Sequence, residues 1–295
     1  MTEEKLPNYG GQALIEGVMM RGAKSVAIAM RAPDGEIVIH TEELKGADRT
    51  KIVRLPFVRG LYALGDALSL GMRALTMSAN LQTDEDEKLE GPALFGTIAV
   101  SMAFAIGLFI LLPGAIGDLV SRWLSFNAWW GNLFEGLLRL LILVGYIGAI
   151  GRMEDIDRVF GYHGAEHKTI NAFEAGAELT PEVVTNHSIE HPRCGTAFLL
   201  TVVLFSIVFF SLLGPLPFLP KMLLRILMIF PIASVAYEYI RWTANHLDSP
   251  FVRAIIKPNL ALQSMTTRPP SLDMIEVGIA AFNAMRDKEV ELASQ

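Results

Sequence analysis

Cysteine is almost missing from this chain. Cys194 stands alone among 295 residues, so no intramolecular disulfide can form and a secreted disulfide scaffold is excluded. Charge is thin as well: 19% of residues are Asp, Glu, Lys or Arg, against roughly 25% in ordinary soluble domains. A basic excess is lacking, with 25 Lys and Arg facing 31 Asp and Glu for a net charge of −6. Nothing in that balance grips a phosphate backbone, so no nucleic-acid partner is expected. No internal period of about 20–50 residues marks a repeat architecture. The acidic start, Met1 to Lys5, lacks the basic and apolar regions of a signal peptide.

What is present is apolar, at 52% of residues, and it is concentrated in four segments. These are Ala93–Gly117, Leu133–Ile150, residues 197–213, and Met222 to about Ile240. Each approaches the roughly 20 residues needed to cross about 30 Å of hydrocarbon. A soluble helical bundle is the competing reading. The first and third runs carry no charge, which favours the bilayer. In the second, Glu135 and Arg139 are spaced as an i,i+4 pair, and Arg225 at the start of the fourth is placed to snorkel.

Loop charge sets the orientation. The 118–132 link holds only Arg122 and the 214–221 link only Lys221. The 152–194 connection carries Arg152, Arg158, Lys168 and Arg193, and six Lys or Arg follow from 241 onward. The positive-inside rule then puts both termini and the middle connection in the cytoplasm. The acidic stretch 84–90 does not oppose this, because acidic residues weigh little in the rule.

The fold class expected is an α-helical integral membrane protein with four transmembrane helices and a small α+β cytosolic portion. Its parts are a cytosolic N-terminal α+β region (1–91), a first transmembrane hairpin (92–152), a cytosolic His-rich connection (153–194), a second hairpin (195–241) and a cytosolic tail (242–295). In the first part, Val26–Ala32 and Glu36–Thr41 flank Pro33-Asp34-Gly35, which reads as a β-hairpin. Arg59 to Leu81 has helical apolar spacing, for packing on the hairpin or lying on the membrane. The glycine-rich run Gly10–Gly22 lacks the Lys-Ser/Thr ending of a phosphate loop and reads as a strand and tight turn, with a site element as the alternative. In the tail, Pro250, Lys257-Pro258 and Arg268-Pro269-Pro270 read as extended. A helix opened by Asp273, with Glu276 in capping-box position, closes the chain. Its Ile275, Ile279, Phe282 and Met285 form one apolar side that the hairpin can cover.

Chemistry concentrates in the middle connection. His163, His167, His187 and His191 fall within 29 residues, and Cys194 follows. His163-Gly164-Ala165-Glu166-His167 is an H-x-x-E-H string. On a helix this places two imidazoles on one face with Glu166 beside them, as in inverted zinc-protease motifs where the carboxylate is the general base. Gly161 and Gly164 weaken that helix, and Gly176 offers its C-terminal cap. The second copy, ending in His191, is followed by Pro192, which disfavours a helix there. His191-Pro192-Arg193-Cys194 has the spacing of half a tetrahedral zinc site. The metal ligands expected are His163, His167, His191 and Cys194, with Glu166 catalytic and zinc or another divalent transition metal bound. Surface histidines without a ligand are the competing reading. Glu238, near the cytosolic end of the fourth segment, reads first as a partner of Arg241 and second as a neighbour of the site. Tyr237, Tyr239 and Trp242 read as an interfacial aromatic belt.

The strings GGQALIEGVMMRG (10–22), PFVRG (56–60), YHGAEHKTIN (162–171), HPRCGT (191–196) and YEYIRW (237–242) resemble the YqhQ-like family of bacterial membrane proteins. Five motifs in one order cover nearly the whole chain. That family is described as a domain of unknown function or a predicted metal-dependent enzyme. The resemblance implies a bacterial inner-membrane location and a metal site at His163, Glu166, His167, His191 and Cys194, and supplies no substrate.

Three functions follow as expectations. The first is a cytosol-facing metal-dependent hydrolase. The second is a non-enzymatic membrane scaffold or assembly factor, with a structural metal or none. The third is a small transporter, which rests only on Glu135, Arg139 and Glu238 in or near the spans. The lipid bilayer is the partner expected, and Gly145, Gly148 and Gly151 permit a homo-oligomer by close helix packing.

Overall fold

The computed structural model describes residues 9–44, 55–83 and 88–294. The acidic N-terminus and residues 84–87 lie outside them. Four strands open the chain: β1 (Gly10–Leu14), β2 (Gly17–Arg21), β3 (Ser25–Arg31) and β4 (Ile37–Glu43). Helix α1 (Val58–Leu81) follows, then α2 (Gly91–Ile106) and α3 (Leu112–Trp123) joined by a π-helical segment, and α4 (Ala128–Ile150). Next come α5 (Glu154–Glu174), the single turn α6 (Pro181–Val184), α7 (Gly195–Ser211) and α8 (Phe218–Ala244). Helices α9 (Pro250–Ile255), α10 (Lys257–Thr266) and α11 (Leu272–Ala293) complete it.

The strands form an antiparallel meander in chain order. The hairpin around Pro33-Asp34-Gly35 is β3–β4, with the Asp34 carboxylate accepting from the Glu36 N–H at 3.0 Å. Residues 10–22 form a second hairpin, turning at Ile15-Glu16 so that Leu14 opposes Gly17. Side chains alternate between two covered faces. Val18, Met20, Ala27 and Ala29 meet Phe282 and Met285 of α11 and Tyr162 of α5. Leu14, Met19, Val26, Ile28 and Met30 meet Leu70 and Ala74 of α1. The sheet is thus the middle of three layers, which is why β2 and β3 read as unbroken apolar runs.

Helix α11 lays Ile275, Ile279, Phe282 and Met285 on the sheet, as its spacing predicts. Its start differs from the expected capping box. Ser271 is the N-cap without a side-chain cap bond, and Glu276 instead pairs with Arg31 of β3 at 2.8 Å. The prolines of the tail also differ. Pro250 and Pro258 sit in the first turns of α9 and α10, where a missing N–H breaks no helical bond, and of the three proline stretches only Arg268-Pro269-Pro270 is non-helical.

Among the described residues, three helices are long and apolar enough to cross a bilayer: Gly91–Trp123, Ala128–Ile150 and Phe218–Ala244. No residue of α2 is buried, and Phe95, Val100, Met102 and Phe104 stand exposed, a surface suited to lipid. Where the sequence predicts a further span at 197–213, α7 has 17 residues, about 25 Å at 1.5 Å per residue. Gly214-Pro215-Leu216-Pro217 follows Leu213 and ends the apolar run. Arg225 does not snorkel. It is 2% exposed and contacts Glu135, which also takes the expected pair with Arg139 at 3.0 Å.

Candidate metal centre

Helix α5 leaves α4 after a three-residue link and opens on Glu154, Asp155 and Asp157, acidic groups that suit a helix N-terminus. Gly176, with φ 71°, closes it. Gly164, a weak helix former, has a reason to be there. A Cβ at this position would lie 2.1 Å from the Arg268 carbonyl oxygen, so only glycine lets the chain between α10 and α11 cross α5 this closely. That crossing brings the Thr266 carbonyl to 2.8 Å from His163 Nδ1.

The polar face of α5 fastens the loop before α7. Lys168 Nζ donates to the Thr185 carbonyl at 2.7 Å and to that of His187. Asn171 Nδ2 donates to Ser188 at 2.8 Å and Glu190 at 3.0 Å. Glu174 pairs with Arg193. From α10, Gln263 accepts the His191 N–H at 2.9 Å and donates to the His191 carbonyl at 2.8 Å. The loop therefore delivers His191 and Cys194 to α5 in fixed positions.

These contacts also decide the tautomers. A carbonyl oxygen only accepts, so His163 Nδ1 donates to Thr266 and His167 Nδ1 donates to Ile189 at 2.6 Å. Both amide protons of Asn171 are directed at carbonyls, which leaves its Oδ1 to accept from His191 Nδ1 at 3.0 Å. Each neutral imidazole then carries its free lone pair on Nε2. His163 Nε2 lies 3.1 Å from Cys194 Sγ. Among the described residues, the Nε2 atoms of His167 and His191 are buried without a hydrogen-bond partner.

Ligand atoms of His163, His167 and Cys194 all lie within 4.8 Å of one another. The His191 ring centroid is 5.5 Å from that of His167, and His191 stands outside the trio. Burial opposes charge on His163, but Cys194 and Glu166 carry its pKa up to about 9. His191 is pushed down to about 3, by burial first and then by Arg193 and the other two histidines. Burial would raise the Cys194 thiol, yet His163 and His167 bring it well below its ordinary value. With its pKa raised, His163 holds a proton on Nε2 against the Cys194 thiolate. A cation that displaces this proton meets a thiolate and imidazole lone pairs, a donor set for a soft or borderline ion. Orienting every ligand through its second nitrogen is how metal-binding histidines are usually held. The residues present fit a divalent transition metal.

Glu166 is 5% exposed. Burial holds its carboxyl above the usual range against the pull of His167 and His163, and the Gly11 backbone N–H donates to it. A Cβ on Gly11 would meet the Met19 carbonyl oxygen at 2.4 Å and the Glu166 side chain at 3.0 Å, so glycine lets the first strand pack this closely against Glu166. Of the other candidates, His187 meets α5 through its carbonyl. Glu238 is gripped chiefly by Arg59 of α1, at Nε with 2.7 Å, and the expected partner Arg241 adds only a weaker attraction. Asn171, Gln263 and the Thr266 carbonyl are positioning groups that sequence reasoning missed. Asn171 had one signal, its place four residues after His167; the other two lie about a hundred residues from His163 and had none.

A family model described as a protein of unknown function (DUF1385) matches residues 55–288. The chain belongs to this family. Uncharacterized protein YqhQ of Bacillus subtilis (strain 168) is 33% identical to it over 301 residues, spanning 97% of this chain and 94% of the relative. No solved structure matches. In this DUF1385 member the matched range holds His163, Glu166, His167, His191 and Cys194, along with Asn171, Gln263 and Thr266. The sheet with Gly11 precedes that range and falls within the longer similarity to YqhQ.

Proposed function

We propose that this chain is a metal-dependent hydrolase anchored in the bacterial cell membrane, with its centre facing the cytosol. His163, His167 and Cys194 are the protein ligands, and the carrying observation is their mutual spacing within 4.8 Å while His191 stands apart. Three protein ligands leave a position for a reactant, whereas four make a closed structural site. A divalent ion held there supplies Lewis acidity and acidifies water. His191, with its ring 5.5 Å from that of His167 and its Nε2 unpartnered among the described residues, orients what enters the site. Glu166, whose carboxyl is held above the usual range by burial, takes the proton at its carboxylate oxygen and returns it to the leaving group.

Helix α7 is the fourth crossing in this reading. It starts at the site and ends beside Leu213, where Asn132 of α4 donates to the Leu213 carbonyl at 3.1 Å. That contact, near the start of α4, supports reading α7 as a partner of α4 across the bilayer. With the Lys/Arg bias, both termini and the centre lie in the cytoplasm.

The competing reading is a scaffold with a closed metal staple, favoured by that same free Nε2 of His191 as a fourth ligand. Cobalt-substituted protein separates the two. Acetohydroxamate, a metal-chelating probe, should change the visible spectrum of the open site, and Glu166→Gln should retain cobalt and its thiolate band. A spectrum indifferent to the probe, with cobalt lost in His191→Ala, would establish the closed site instead.

A further inference from the structure

At the far ends of α4, α7 and α8 lies a second buried polar cluster, independent of the metal reading. Glu135 is fully buried and meets three cations. Arg139 Nη2 is 3.0 Å from its Oε1, Lys221 Nζ is 3.2 Å from its Oε2, and the Arg225 guanidinium touches it. Asp118 pairs with Arg122 at 2.8 Å, so including that pair leaves the same excess of two positive charges. The remaining polar contacts do not offset it. Arg139 Nε donates to the Phe109 carbonyl at 2.8 Å, and Arg225 Nη2 donates to Asn132 Oδ1 at 3.1 Å. Both guanidinium groups face the Phe210 ring, at 5.3 and 5.8 Å. Arg225 is 2% exposed, and its Nε has no hydrogen-bond partner among the described residues.

Uncompensated charge in a low-dielectric interior is costly unless a counter-ion completes it. A pocket of about 160 Å³ adjoins the cluster, bounded by the 118–132 and 213–221 links. Lys221 and Asn132 belong to both the pocket wall and the cluster. Its remaining polar side chains include Asp118, Ser121 and Asn127. This volume falls below the roughly 300 Å³ of a site for drug-sized molecules and suits a small oxyanion with its water.

We propose that Lys221, Arg225 and Arg139 bind a phosphate group entering through this pocket, on the side of the membrane opposite the histidine cluster. The phosphate belongs either to a free ion or to the headgroup of an anionic lipid, since both present oxygens to guanidinium and ammonium donors in the same way.

Full-length protein in phosphatidylcholine nanodiscs tests this by thermal unfolding, with inorganic phosphate titrated against chloride at equal ionic strength. At about tenfold excess over its Kd, phosphate should raise the midpoint by about 3 °C. Lys221→Met should abolish that rise. A rise produced only by phosphatidylglycerol in the bilayer, and lost in Lys221→Met, supports the site with a lipid headgroup as its occupant. Glu135→Gln removes the opposing charge and should strengthen binding, so either variant is informative if the other does not fold. No rise from phosphate or phosphatidylglycerol overturns the proposal, as does an equal rise in folded Lys221→Met or weaker binding in folded Glu135→Gln.

Discussion

The two ends of the helical bundle carry opposite imbalances. At one end, His163, His167 and His191 have every Nδ1 proton engaged. What remains is the Cys194 thiolate and the Nε2 positions, of which only that of His163 has a partner among the described residues. At the other, Glu135 is outnumbered by Arg139, Lys221 and Arg225, and what remains is N–H. As proposed, a cation completes the first cluster and an anion the second. A buried polar group alone says little about function; which of its atoms is left over says what it would bind.

The largest effect should come from emptying the first cluster. Joint replacement of His163 and His167 by alanine, or Cys194→Ser, should take bound metal from about one ion per chain to near none, read by elemental analysis of purified protein. Metal unchanged in both variants would place it elsewhere.

At the opposite end, Glu135→Ala removes the partner of three buried cations and should destabilise the chain by about 3–5 kcal/mol. Metal content should not change. A chemical-denaturation midpoint that scarcely moves would mean the cluster is not a coupled unit.

A smaller effect falls on the positioning groups. Asn171→Leu leaves the His191 Nδ1–H buried without an acceptor, at a cost of about 1–3 kcal/mol. Because His191 is outside the ligand trio, metal should stay bound. Metal loss in this variant would make His191 a ligand and blur the distinction between an open and a closed centre.

The smallest effect is at the edge of the site. Arg158 meets Glu16 at 2.6 Å through both Nε and Nη2. The hydrogen bond from Arg158 is the chief cause holding the Glu16 carboxyl below its usual range. A lowered folded-state pKa gives stability that is present above the unfolded value and lost as pH falls through the folded one. Glu16→Gln should therefore cost about 0.5–1 kcal/mol at neutral pH, and the gap from wild type should close on acidification below the ordinary carboxylate range. A gap that widens on acidification would contradict the assignment.

Much of this was legible in the sequence because it is local. The Pro33-Asp34-Gly35 hairpin, the apolar side of α11 and the helical pairing of His163 with His167 follow from spacing alone. The arrival of Cys194 beside them was signalled only by clustering. What escaped is non-local. Gly164 reads as a helix defect until Arg268 is seen crossing it, and Gln263 reads as an ordinary tail residue until it grips His191. Glu238 was given a neighbour one helical turn away, while its partner Arg59 lies 179 residues back in the sequence. Arg225 looked like a helix-end residue, and only packing shows that it is enclosed. Prolines in the tail misled because the same residue ends one helix and begins another.

The most direct test of the metal centre is X-ray absorption at the metal edge of the purified full-length protein. The expected result is one sulfur at about 2.3 Å and two imidazole nitrogens at about 2.0–2.1 Å, with a light fourth scatterer. Cys194→Ser should lose the metal, and with it the edge signal and its sulfur shell. A bound metal with no sulfur neighbour, or a spectrum unaltered by that substitution, would contradict a centre built on His163, His167 and Cys194.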